Sequence, residues 1–274
     1  MPFTDHFSGV AADYAAFRPK YPAALIERLA ALAPRRAAAW DVATGSGQAA
    51  ILLAERFDRV IATDASAQQI ASAVRHERIE YRVAAAEESG LPTASIDLIA
   101  VAQALHWFDV ERFHAEARRV AAKGAVIAEW CYGIVRAADA EVDRVVRRFY
   151  SERIGRWWPA ERSHVETGYR DLPFPFEPID VGEWSIVAPL DRARLVGYAR
   201  TWSAVKECRA HEGVDPIPEF DADLARAWPA GSDAVEIRWP ITIRVGRVAL
   251  AIARDGDSGT DHGRADPSPR RGLP

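Results

Sequence analysis

The run Trp40-Asp41-Val42-Ala43-Thr44-Gly45-Ser46-Gly47-Gln48, answered by Val60-Ile61-Ala62-Thr63-Asp64, constrains this chain more than any other feature. An apolar stretch leads into a glycine-spaced turn, a helix-forming stretch follows, and a second apolar run ends on an acid. That order reads as strand, tight turn, crossover helix, strand. Glycines at 45 and 47 let the backbone pass close to a ligand where a Cβ would collide. The helix after them points free N–H groups at the same spot. An acid at the tip of the second strand can take both hydroxyls of a ribose. The unit predicts a pocket for an adenosine-containing cofactor.

Two cofactor classes use such a unit. Gly45-x-Gly47-x-x-Ala50 with Asp64 downstream fits the dinucleotide fingerprint, which tolerates alanine at the third position. An NAD-dependent oxidoreductase is therefore one reading. Asp41 argues for S-adenosylmethionine, because it could receive the ammonium of a methionine moiety and would be awkward beside a pyrophosphate. The late start of the first strand, near residue 37, argues the same way.

Alternating elements continue along the chain. Helices are predicted over 22–33, 48–57 and 67–75, the last capped by Ser66 with Gln69 as a capping box. Strands are predicted over 37–42, 59–63, 79–84, 96–102 and 125–130. Asp109 is expected to cap a helix with Phe113, Ala117 and Val120 on one face, and Gly124 to stop it. This alternation implies an α/β fold with a parallel, doubly wound sheet. After Tyr132 the pattern changes. A helix over 138–154 and an aromatic, proline-rich run from Trp157 to Pro178 form an insertion. Closing strands at 184–187 and 237–245 then flank one helix over 191–208. The expected division is an N-terminal arm and lid helix (1–36), a cofactor-binding core (37–132), a cap insertion (133–180), closing strands and helix of the same domain (181–252), and a disordered tail (253–274).

Composition narrows the function classes. With 274 residues, 49% of them hydrophobic, there is ample material for a core. A net charge of −4 with scattered basic residues gives no field for nucleic acid. The absence of a signal-peptide pattern or long apolar run makes a cytoplasmic protein without membrane contact the expectation. Two cysteines do not make a disulfide framework, and the histidines show no metal-ligand spacing, so no metal is expected. Nothing in the chain indicates its oligomeric state.

Five motifs in order carry a resemblance: Tyr14-Ala-Ala-Phe17-Arg18-Pro19-Lys-Tyr21-Pro22, the Asp41–Gln48 turn with Asp64, Ala86-Glu87, Gln103-Ala-Leu-His106-Trp107-Phe108, and Trp239 through Arg247. On these the chain resembles the class I S-adenosylmethionine-dependent methyltransferases (methyltransferase type 11), in the small-molecule group that includes the trans-aconitate methyltransferases. The resemblance covers about residues 3 to 250. It implies a Rossmann-like seven-stranded sheet whose last two strands are antiparallel to each other. It also implies a cytosolic enzyme that methylates an oxygen, carboxylate or hydroxyl, of a small molecule. One departure is Ala43, where the family usually has glycine. A non-catalytic cofactor-binding protein, or an RNA or protein methyltransferase, remains an alternative.

The ligand of an open α/β sheet lies beyond the carboxyl ends of the strands. That places Asp41, Ala43, Gly45, Gly47, Asp64, Ala86, Glu87 and Gln103 around the cofactor, with Tyr14 and Arg18 on an arm folded over it. His106 and Trp107, after strand four, border the transferred methyl, His106 as base or as orienting group. Trp130 and Tyr132, at the end of strand five, and Trp202 are candidates for the acceptor pocket.

Overall fold

The computed structural model describes residues 17–249. Tyr14, the first part of the arm and the tail lie outside the described residues. The elements run α1 (Ala23–Leu32), β1 (Ala38–Val42), α2 (Gln48–Ala54), β2 (Arg59–Asp64), α3 (Ala67–Ser72), β3 (Ile79–Val83), β4 (Ile96–Ala102), α4 (Val110–Val120) and β5 (Ala121–Tyr132). There follow β6 (Arg136–Ala137), α5 (Ala140–Arg148), α6 (Arg162–Glu166), β7 (Glu177–Pro178), β8 (Trp184–Leu190), α7 (Arg192–Arg200), α8 (Ser203–Glu212), α9 (Ile217–Ala227) and β9 (Val235–Arg247).

Strands β3-β2-β1-β4-β5 lie side by side and parallel. β9 then pairs antiparallel to β5 on one side and to β8 on the other, with the short β6 and β7 also on β9. The sheet is mostly parallel and Rossmann-like, and seven of its strands exceed two residues. The order reverses between β1 and β4, so a cleft opens where those two strands end. Val42 pairs with Val101 across this line, which brings the glycine turn and Gln103 to neighbouring strand tips.

Local chemistry explains most boundaries. Ser66 accepts a hydrogen bond from Gln69 N, and Asp109 accepts one from Arg112 N, so both helices begin where the caps predict. Phe113, Ala117 and Val120 are fully buried on one face of α4. Gly124 does not stop that helix: α4 ends at Val120 and β5 starts at once. Gly124 instead takes φ +77° inside the strand, where the pairing with β4 shifts register between Ile96 and Leu98.

Three further expectations are corrected. The helix over 138–154 is α5 followed by a wider turn over Phe149–Arg153, in which Ile154 N reaches back to Phe149 O. The single helix over 191–208 is two, because the chain leaves helical geometry at Thr201-Trp202 and restarts at Ser203. An additional helix, α9, buries Ile217, Phe220 and Leu224 at helical spacing. β8 also runs on to Leu190 through Pro189, which an edge strand tolerates.

Candidate active site

The turn after β1 is held by its own acids. Asp64 accepts from Gly45 N at 2.9 Å and from Ser66 N at 2.8 Å, tying the turn to the end of β2 and to the start of α3. Gly47 sits at φ +87°, and a Cβ there would lie 2.5 Å from the Tyr81 hydroxyl, so both conformation and space require glycine. Ala43 occupies the same left-handed region at φ +52°, which an alanine tolerates at a cost.

Asp41 is 1% exposed. Thr44 Oγ1 donates to its Oδ2 at 2.5 Å, while Oδ1 has no hydrogen-bond partner among the described residues. Burial, partly offset by the Thr44 bond and a backbone N–H from Ala50 and reinforced by the charge of Asp64, pushes its pKa up to about 7. A buried carboxylate oxygen without a partner is costly unless something cationic or hydrogen-donating reaches it. The donor set therefore fits an ammonium at Asp41.

Ala86 is buried beside this region, and Glu87 accepts a hydrogen bond from Asp109 N, which fixes the start of α4. Gln103, at φ +59°, directs its amide at strand β5: Tyr132 N donates to Oε1 at 2.8 Å and Nε2 donates to Tyr132 O at 3.3 Å. A side chain here imitates a peptide unit and lengthens the pairing of β4 with β5. The Gln103 amide thus sets the position of Tyr132, and Tyr132 in turn accepts a hydrogen bond from Arg18 at 3.0 Å.

A pocket opens past these strand tips, under α6, α7 and α8. Gln103, His106, Trp107, Tyr132, Arg18 and Trp202 all line it. Trp130 does not. It leaves β5 on the same face as Tyr132 but two residues further from the strand tip, where it is 0% exposed in the core and edge-on to Tyr21. Its assignment to the acceptor site is corrected to packing.

His106 shares a 3.1 Å hydrogen bond through Nδ1 with the buried Tyr169 hydroxyl and lies against Trp107. Burial first, then the positive charges of Arg162 and His164, lower its pKa to about 3. It is a neutral imidazole at physiological pH.

Sequence reasoning missed much of the pocket wall. Tyr150, Arg162, Tyr198, Arg200 and Lys206 line it as well, beside Trp158 of the aromatic run that the sequence marks as the cap. Tyr198 and Trp202, four apart and T-shaped at 5.5 Å, give one aromatic face that their spacing could have announced. Trp157 points elsewhere, donating to Glu212 and stacking on His211. Among the described residues no group of three or more side chains could hold a metal, and no helix is long and apolar enough to cross a membrane.

A glycine turn at a switch point, an acid closing β2 and a buried carboxylate beside them form the kind of strand-tip cleft in which open α/β folds take ligands. Comparison with known proteins fixes the chemistry. A family model described as a methyltransferase domain matches residues 40–128. A protein of Dictyostelium discoideum bearing a methyltransferase name is 31% identical over 245 residues, 87% of this chain and 93% of that one. A solved structure titled as a Type II methyltransferase from Anaeromyxobacter dehalogenans is 48% identical, with a TM-score of 0.80, covering 86% of this chain and all of that one. Methyltransferase cfoB of Aspergillus candidus is 33% identical over 124 residues, 42% of this chain and 39% of its own. The chain belongs to the class I S-adenosylmethionine-dependent methyltransferases.

Proposed function

We propose that the protein transfers a methyl group from S-adenosylmethionine to an oxygen of a small molecule, a carboxylate or a hydroxyl. The observation that carries the reading is the pairing of two adjacent features. One is the buried Asp41 oxygen with no partner among the described residues, beside the Gly45–Gly47 turn. The other is a pocket lined by aromatic and cationic side chains past β4 and β5. The donor supplies a methyl already activated by a sulfonium. The chain's own residues bind, align and exclude water.

In this reading Asp41 receives the ammonium, Asp64 the ribose hydroxyls through its remaining lone pairs, and Ala86 and Glu87 border the adenine. Arg18, bonded to Tyr132, stands in the wall of the acceptor pocket on the side of the strand tips. An acceptor oxygen forms the new O–CH3 bond as the C–S bond breaks, its electron pair staying on sulfur. A hydroxyl acceptor would also have to lose a proton, and His106 with a pKa lowered to about 3 is a poor base for it. A carboxylate needs no base. The neutral His106 and Trp107 then serve to orient the acceptor, which favours a carboxylate over a hydroxyl.

The test is direct. S-adenosylmethionine and S-adenosylhomocysteine should raise the melting temperature and bind in calorimetry, as ligands of the native state must, while NAD and NADP should not. Screening small acids and phenols for S-adenosylhomocysteine release then identifies the acceptor. A preference for NAD in calorimetry would overturn the assignment.

A further inference from the structure

Among the described residues, the wall of the acceptor pocket carries four cations, Arg18, Arg162, Arg200 and Lys206, and not one aspartate or glutamate. The chain as a whole is acidic, with a net charge of −4, so this local balance runs against the composition. Arg162 is the informative member. Its Nε donates to the Tyr150 hydroxyl at 2.9 Å, and its guanidinium lies 4.9 Å from the Trp158 ring centre and 5.7 Å from that of Tyr150.

Nearby arginines of the same cap are neutralised: Arg153 and Arg156 both pair with Glu212. No carboxylate lies within ion-pair distance of Arg162 among the described residues, and its two terminal nitrogens make no hydrogen bond there. A guanidinium fixed in orientation by a hydroxyl and two rings, with its terminal fork uncommitted, can pair bidentately with an oxyanion, and a methyl acceptor that needs no base makes that anion a carboxylate. Beside it, Tyr150, Trp158 and Trp202 stand within 4.6 to 5.9 Å of one another at mutual angles from 36° to 80°. Such a corner offers both faces and edges to a flat ring.

We propose that the acceptor is an aryl carboxylate, its carboxylate paired with the Arg162 guanidinium and its ring set among Tyr150, Trp158 and Trp202. This inference deepens the methyl-transfer reading of the same cleft and rests on it. Arg162 acts as the specificity-determining residue, selecting acids over neutral isosteres, and the three rings select flat bodies over flexible chains.

The experiment is a calorimetric titration of the full-length protein, saturated with S-adenosylhomocysteine, against matched probes. These are cinnamate and 4-hydroxybenzoate, their amides, phenyl phosphate, and the aliphatic diacid succinate. The expected result is that the ring acids bind roughly 10- to 100-fold more tightly than their amides, the span of a hydrogen-bonded charged group. Succinate and phenyl phosphate should bind more weakly than the ring acids. In Arg162→Gln the acid-to-amide preference should collapse to near unity with S-adenosylhomocysteine affinity unchanged, and Arg162→Lys should restore part of it.

Amides that bind as well as acids, succinate or phenyl phosphate that outranks the ring acids, or no binding by any ring acid would overturn the proposal. So would an acid preference that survives in Arg162→Gln. The wild-type ranking alone is decisive should that variant fail to fold. Failure of the cofactor reading is separate, because it shows as absence of S-adenosylhomocysteine binding in the first titration, before any acid is added.

Discussion

Proton release on cofactor binding is the sharpest consequence of the buried Asp41. Its carboxyl is lifted from 3.8 to about 7 chiefly by burial, with Oδ1 left without a partner. The native state without ligand therefore holds a proton that the unfolded chain releases. Stability from this group is complete below the unfolded value and declines as pH rises from about 4 to about 7, by about 4 kcal/mol in total at about 1.4 kcal/mol per pH unit. An ammonium placed at Oδ1 reverses the preference and ionises the acid. At pH 6 about 0.9 of a proton should leave the protein on binding S-adenosylmethionine, and at pH 7 about half, with the ligand amine charged at both. Affinity should correspondingly rise about fivefold from pH 6 to pH 7, above which the ligand amine begins to lose its own charge. Calorimetry at pH 6 in buffers of different ionisation enthalpy reads the proton count directly. Asp41→Asn should abolish the release and weaken binding by about 1.5–3 kcal/mol. A binding enthalpy independent of buffer at pH 6, or equal release in the variant, would refute the reasoning.

Other outcomes follow from the same geometry. With its pKa lowered to about 3, His106 is neutral above about pH 4, so the rate on a carboxylate acceptor should be flat from pH 5 to 8 as far as His106 is concerned. His106→Ala should mainly raise KM, and a rise in wild-type rate through pH 6–7 that disappears in this variant would restore His106 as a base. Ala43→Gly relieves a left-handed alanine, and denaturant midpoints should show a protein as stable as the wild type or more stable by up to about 1 kcal/mol. Gln103→Glu can accept from Tyr132 N but cannot donate to Tyr132 O. It should cost about 1–3 kcal/mol in thermal unfolding, with Gln103→Leu at least as damaging.

The sheet was legible because its signals are local. Strands β1, β2 and β4 are short, mainly apolar runs between turns, and the caps at Ser66 and Asp109 act within three residues of where they stand. Asp41 and Asp64 could be placed for the same reason, although the sequence did not show that Asp64 also anchors Gly45 and Ser66. The acceptor wall was harder to read. Arg162 and Tyr150 sit in different elements and become a pair only after the cap folds, and no periodicity marks that meeting. Trp130 misled because nearness to a strand end does not reveal depth: it shares a face with Tyr132, yet two residues back along β5 it is already packed against Tyr21. α9 was hidden by Pro216 and Pro218, which resemble loop punctuation yet occupy the one part of a helix that tolerates proline.

One helical residue has a bearing on how this protein could be recombined with its relatives. A Cβ on Gly197 would lie 2.4 Å from the ring of Phe17, so α7 carries a notch into which the N-terminal segment fits. The neighbouring Tyr198 receives the Arg18 guanidinium at 5.9 Å from its ring centre. Residues 17–18 and 197–198, about 180 residues apart in the sequence, thus form a matched lock and key. A chimera that exchanges the first twenty or so residues for those of a homologue with a bulkier residue at the notch would inherit a key without its lock. Transplanted N-terminal segments should work only when the α7 residue facing them travels in the same graft.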